Sequence, residues 1–171
     1  MKQIESTPSV GFGDAVRSSL NHLTDFNGRT RRSEFWWTIL AYYICVFIIN
    51  LILGMILPQT ALTIIGIILQ FFIFGATVRR LHDTGRSGWW VGVSWIVNII
   101  SSIYVMANSD ILMSVNINPE DIMKFASAPA TIGIMTINII LNLIVIIFCL
   151  LDSKAETNKY GESPKYKAAE V

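Results

Sequence analysis

The sequence predicts an all-α polytopic membrane protein, a four-helix transmembrane bundle with an N-terminal interfacial amphipathic helix. Three observations predict it. Charged residues make up 15% of the 171 residues and hydrophobic ones 53%, whereas soluble domains carry roughly one quarter charge. The missing charge is concentrated in three windows, Phe35–Val78, Ser87–Ser109 and Phe125–Leu151, which hold no Asp, Glu, Lys or Arg. Twelve of the 13 basic residues fall in segments that such windows place on one side of a membrane.

A hydrocarbon core of roughly 30 Å needs about 20 helical residues. The first window therefore holds two spans, with Leu57-Pro58-Gln59-Thr60 as the turn between them. Spans are expected at about 36–57, 61–78, 88–107 and 131–151. Together they form one membrane domain, because four apolar helices can bury one another. Barrel strands would alternate apolar and polar residues, and these runs do not.

Lys2, Arg17, Arg29, Arg31 and Arg32 precede the first span, Arg79, Arg80 and Arg86 separate the second from the third, and Lys154, Lys159, Lys165 and Lys167 follow the fourth. Only Lys124 lies in the expected outer loop, 108–130. By the positive-inside rule both termini and the tail, 152–171, are cytoplasmic. Net charge is +1, which suggests no nucleic-acid partner. The first apolar run begins well inside the chain without a small-residue cleavage site before it, so no signal peptide is expected. Cys45 and Cys149 lie inside spans and serve as small apolar residues; two lone Cys and the scattered His22 and His82 make no metal site, and no cofactor is expected.

Before the first span, residues 12–26 read as an amphipathic helix. Phe12, Val16, Leu20 and Leu23 fall within an arc of about 80°, with Asp14, Arg17 and Asn21 opposite. Such a helix lies in the membrane interface or packs on the bundle's own loops. Asn27-Gly28 signals a turn. Ser33 is placed to cap the first span, Glu34 suits its positive end, and Trp36 and Trp37 enter at headgroup depth. In the outer loop, Asn118-Pro119-Glu120-Asp121 is a helix start, and a short helix is expected near 119–127. The tail, with Gly161 and Pro164, is expected to be extended. Arg32-Ser33-Glu34-Phe35-Trp36-Trp37 and Arg86-Ser87-Gly88-Trp89-Trp90 echo each other; either this is a trace of two parallel hairpins or, more economically, both helix entries favour Arg, Ser and Trp.

The candidate chemistry sits in two places. Arg79 to Trp90 is expected to form a dense polar turn, in which Gly85 takes a positive φ and Ser87 caps the third span. Arg29, Arg32, Arg79, Arg80 and Arg86, with Glu34, His82 and Asp83 and beside Trp36, Trp37, Trp89 and Trp90, would form a cytoplasmic plate. Guanidinium groups fork onto phosphates and indoles sit at headgroup depth, so the plate suits anionic phospholipid headgroups or a protein partner. Topology and internal pairing with Glu34 and Asp83 explain the same charges more simply. His82 and Asp83 could act as an acid–base pair on a lipid headgroup, but without a nucleophile motif a capped turn is the economical reading and no catalytic residue is assigned. Within the spans, Asn50, Gln70, Asn98, Asn138 and Asn142, with Ser and Thr neighbours, would line a hydrated path or, more often, hold helices together. No ionisable group sits at mid-membrane, which weakens an ion-coupled carrier.

Phe26-x-Gly28-Arg29-x-x-Arg32-Ser33-Glu34-Phe35-Trp36-Trp37, Arg79-Arg80-Leu81-His82-Asp83-x-Gly85-x-Ser87-Gly88-Trp89-Trp90 and the tail motif Asn158-Lys159-Tyr160-Gly161-x-x-Pro164 resemble the domain of unknown function 805 family of small bacterial inner-membrane proteins. The resemblance covers nearly the whole chain. It implies a bacterial inner-membrane location and a few helices, and it brings no activity, ligand or catalytic residue. The expected function is thus membrane-embedded binding or scaffolding toward lipids, a protein partner or a second copy. A channel or transport component is the alternative, and a lipid-headgroup enzyme comes third.

Overall fold

The computed structural model describes residues 4–108 and 118–168. Part of the expected outer loop and the last residues of the tail lie outside these. In chain order the elements are β1 (Ile4–Ser6), α1 (Phe12–Asn21), α2 (Arg32–Leu53), α3 (Gln59–Asp83), α4 (Trp89–Ala107), α5 (Pro119–Ser127), α6 (Pro129–Leu150) and β2 (Tyr166–Ala168). Helices α2, α3, α4 and α6 are each long and apolar enough to cross a membrane.

Two antiparallel hairpins make the bundle. α2 packs along α3, and α4 packs along α6, while α3 joins the pairs by touching α4 and α6. One end carries the start of α2, the end of α3, the start of α4 and the end of α6. Phe35, Val78, Leu81, Val91, Val145 and Cys149 form the buried apolar cluster there. The outer faces stay bare: Phe47 is 66% exposed, Ile68 63% and Ile139 59%. Water does not tolerate so continuous an apolar surface, but lipid tails do.

The spans appear where the charge-free windows predict them, with shifted ends. α2 begins at Arg32 rather than 36, and α3 continues to Asp83 rather than stopping at 78. The second shift corrects the expectation of a polar turn starting at Arg79. Arg79, Arg80, His82 and Asp83 are helical, and only residues 84–88 reverse the chain. Leaving the apolar core does not end a helix; a positive-φ residue does. Gly85, at φ 78°, closes α3 with the Arg86 N–H donating to Leu81 O (2.8 Å) and the Gly85 N–H to His82 O (2.9 Å). This is the six-to-one, five-to-two pattern of a Schellman cap. Gly28, at φ 84°, supplies the turn expected at Asn27-Gly28.

Capping elsewhere is mixed. Asn118 Oδ1 accepts from the Glu120 N–H at 3.0 Å and Pro119 occupies the first turn of α5, as the sequence predicts. Ser33 does not cap α2. Arg31 holds the cap position without a side-chain bond, and Ser33 Oγ instead accepts from the Val10 N–H at 3.2 Å. Ser87 does not cap α4 either: Gly88 holds the cap position, and Ser87 Oγ accepts only a long bond, 3.4 Å, from the Trp89 N–H.

The amphipathic helix is shorter than expected and ends at Asn21. It packs on α2 through its small side: Ser19 Oγ lies 2.6 Å from Thr38 Oγ1, and Ser18 Oγ donates to Glu34 Oε1 at 2.7 Å. Phe12 and Leu20 of its apolar edge remain exposed, as does Leu23 beyond the helix end, and Phe12 meets the exposed ring of Trp37 edge-on at 5.8 Å.

The tail is not extended. After α6 it folds back across the same end of the bundle, and β2 pairs antiparallel with β1, Glu5 opposite Lys167. Lys165 Nζ bonds both Asp152 carboxylate oxygens, at 2.7 and 2.5 Å. That bond chiefly holds the Asp152 carboxyl below its usual range and pushes the Lys165 ammonium up. The loop of polar, turn-forming residues that suggests an extended tail instead finds partners on the bundle.

Candidate functional site

The polar residues of the capped end form a lock around one carboxylate. Asp83, the last residue of α3, has no exposed side chain. Its Oδ1 accepts from Arg29 Nε at 2.9 Å, and its Oδ2 accepts from Arg80 Nη1 at 2.5 Å and from the Ser153 hydroxyl. Burying charge is costly unless every donor and acceptor is met, and here the two guanidinium groups spend their remaining donors on backbone.

Each of three arginines serves the C-terminal end of a helix, where the last carbonyls lack intrahelical partners and the dipole is negative. Arg80 donates from Nε to Cys149 O at 3.1 Å and from Nη2 to Leu151 O, closing α6. Arg29 donates from Nη2 to Asp83 O at 3.2 Å, closing α3. The same nitrogen reaches Lys154 O, and its Nη1 reaches Glu156 O at 2.9 Å and Gly161 O at 3.2 Å. Arg79 points the other way, with Nη1 donating to His22 O at 2.7 Å and to Asp25 O and Nε to Thr30 Oγ1 at 3.1 Å, which closes α1. The planar five-donor fork allows this, and a lysine could not reproduce it.

The tail motif completes the lock. Asn158 Nδ2 donates to His82 O at 2.9 Å, and the Tyr160 ring stacks flat on the His82 ring at 3.5 Å between centroids. His82 Nδ1 is buried with no partner among the described residues. The acid–base pair considered for His82 and Asp83 does not form, since the Asp83 oxygens accept from Arg29, Arg80 and Ser153.

The residues of the expected plate are thus divided. Arg29, Arg80 and Asp83 meet; Arg79 binds the α1 end; Glu34 accepts from Ser18. Arg86 lies over the Phe148 ring, 4.2 Å from its centroid, with Trp90 edge-on to the same ring. Trp36 faces into the bundle against Phe35. Arg32, Trp37, Trp89 and Trp90 are exposed, with Trp89 at 77%. Ser153 and Thr30, both essential to the lock, carry no signal in the sequence beyond their place next to a helix end.

Of the intramembrane amides, three cluster. Asn138 Nδ2 donates to Asn98 Oδ1 at 3.1 Å and Ser101 Oγ at 3.0 Å, and Asn142 Nδ2 donates to Asn138 Oδ1 at 2.8 Å. With the Tyr104 hydroxyl 2.9 Å from Thr131 Oγ1, they join α4 to α6, as polar residues in lipid do. Asn50 is exposed and bonds only Val46 O of its own helix. Gln70 stands apart from the cluster in the wall of an intramembrane cavity.

The family model described as protein of unknown function (DUF805) matches residues 23–162, a stretch that contains every side chain of the lock. The chain belongs to the DUF805 family. Two Escherichia coli (strain K12) proteins are similar to part of the chain. Inner membrane protein YhaH is 34% identical over 93 residues, 47% of this chain and 77% of its own. Inner membrane protein YhaI is 37% identical over 93 residues, 48% of this chain and 77% of its own. No solved structure matches the chain. The DUF805 match runs from the end of α1 to the tail motif and excludes both strands. No group of three or more His, Cys, Asp or Glu that could hold a metal occurs among the described residues.

Proposed function

We propose that this chain is an inner-membrane binding or scaffold protein, with both termini cytoplasmic, that gathers anionic phospholipid headgroups around its locked end. The inner-membrane names of the two relatives support the location. One observation carries the binding reading: cations whose side chains the lock does not use and several indoles are exposed at the same end of the bundle. Arg32, Lys154 and Lys159 are exposed, as are Trp37, Trp89 and Trp90. The amphipathic edge of α1 lies at the same end. The side chains of Arg29, Arg79 and Arg80 are buried and bound into the frame.

Each basic residue near an anionic surface contributes roughly 1 kcal/mol. The triple variant Arg32→Gln, Lys154→Gln, Lys159→Gln is therefore expected to retain several-fold less anionic lipid through purification, with an unchanged melting temperature. Native mass spectrometry of the gently extracted protein reads this directly. Unchanged retention would refute headgroup binding, and an unchanged lipid count with a co-purifying protein would favour a partner instead.

The orientation has its own check. A cysteine at Ser87, on the basic side, is expected to resist a membrane-impermeant thiol reagent in intact cells, whereas one at Ser127, in α5, is expected to react. Both positions are exposed. The reverse labelling pattern would overturn the placement that the positive-inside rule implies.

A further inference from the structure

Directly beneath the lock, the four spans enclose a partly open cavity of about 510 Å³. Its existence follows from the packing. α4 and α6 are tied together by the asparagine cluster, whereas α2 packs closely on α3 alone among the spans, so a gap remains between α2 and the other hairpin. Trp36 and Tyr42 of α2, Gln70 and Phe74 of α3, Trp95 of α4 and Asn142 of α6 are among the residues that line it. The size lies in the range of small-molecule sites, and the pattern of apolar walls with a few polar groups is theirs too.

Two polar atoms in this wall are unsatisfied. Gln70 Oε1 and Trp95 Nε1 are buried without a hydrogen-bond partner among the described residues. Trp95 is not free to turn away, because Phe71 and Phe74 hold its ring at 4.8 and 5.5 Å. Buried polar groups in folded proteins are nearly always paired. The carbonyl oxygen needs a donor and the indole N–H needs an acceptor, and a hydroxyl group is both at once. No charged side chain lines the cavity, so an ionised ligand would stay unpaired at this depth. The surrounding helix faces are apolar and bare, so the reservoir around the site is lipid.

We propose that this cavity binds a neutral, lipid-soluble molecule with a long hydrocarbon chain and a hydroxyl group, an uncharged long-chain alcohol or acylglycerol, whose hydroxyl bridges Gln70 and Trp95. The site is separate from the exposed cations, so it stands or falls independently of headgroup binding.

The test uses the full chain in detergent with a diazirine-bearing 1-hexadecanol as photoprobe. Labelling is expected on cavity-lining residues, with unlabelled 1-hexadecanol competing and hexadecane failing to compete. Gln70→Leu and Trp95→Phe are each expected to weaken labelling about three- to tenfold, the usual worth of one hydrogen bond. Gln70→Leu removes an unpaired buried group and should fold at least as well as wild type, so loss of labelling there is not loss of structure. Added 1-hexadecanol should raise the melting temperature of the wild type but not of Gln70→Leu. Equal competition by hexadecane would reduce the cavity to a hydrocarbon-filled void, and undiminished labelling of both variants or adducts outside the cavity would overturn the assignment.

Discussion

Asp83→Asn is expected to destabilise the protein more than any other single exchange at the locked end, by about 3–5 kcal/mol, the usual result of removing one partner from a buried ion pair. The asparagine fits the space, so the loss is one of charge. Arg29 and Arg80 would remain buried, with side-chain exposure of 1% and 0%, and nothing anionic between them. The carbonyls of Cys149, Leu151 and Lys154 that these arginines bind carry partial charge only. Thermal unfolding in detergent measures the effect. The double variant Asp83→Asn, Arg80→Gln should recover part of the loss, since it removes one stranded cation. If the single variant melts like wild type, the lock does not hold the bundle together. Asp152→Asn is the internal comparison: its carboxylate is 53% exposed, and surface pairs contribute little.

Gly85→Val is expected to cost about 1–3 kcal/mol in the same assay, from a β-branched residue forced to positive φ. A Cβ at this position would also sit 2.6 Å from Lys154 Nζ and 2.8 Å from its Cε. The lysine can swing aside, so the backbone sets most of the cost. His82→Ala should cost less. It loses the ring stacked on Tyr160, a contact worth roughly 0.5–1.5 kcal/mol beyond area burial, but it also removes a buried nitrogen with no partner. If His82→Ala proves the more damaging, the flat stack, and not the glycine turn, organises the end of α3.

The spans were legible because the property that makes them is local. An absence of charge over 44 residues, Phe35–Val78, is visible to any reader and excludes most other structures in lipid. The helix start at Asn118-Pro119 and the glycine turn at Gly85 are also local, and both appear as expected. What stayed hidden depends on distant partners. Arg79 and Arg80 follow an apolar run, so they read as the beginning of a loop, yet α3 continues through them because the carbonyls of His22, Asp25, Cys149 and Leu151 wait to receive their donors. Ser33 has the composition of a cap and serves Val10 instead. Neighbouring residues cannot reveal that Asp83 pairs with Arg29, 54 positions away. The unpaired oxygen of Gln70 was likewise invisible: its place on a polar stripe fits interhelical pairing, and only the packing around it shows that no side chain or carbonyl among the described residues meets it.

The lock also sets an order of events during synthesis. Arg80 can meet Asp83 within one helical turn as soon as α3 exists. The Ser153 hydroxyl and the carbonyls of Cys149, Leu151 and Gly161 arrive only after the fourth span has been made. Until then Arg29 and Arg80 lack their final acceptors; with this end cytoplasmic, as proposed, their charge favours retention on the side of synthesis. When the last span enters, the same side chains are withdrawn from water and bind its end. On that orientation, charges that guide insertion also seal its completion, and a chain truncated before Ser153 is expected to leave its arginines without these acceptors.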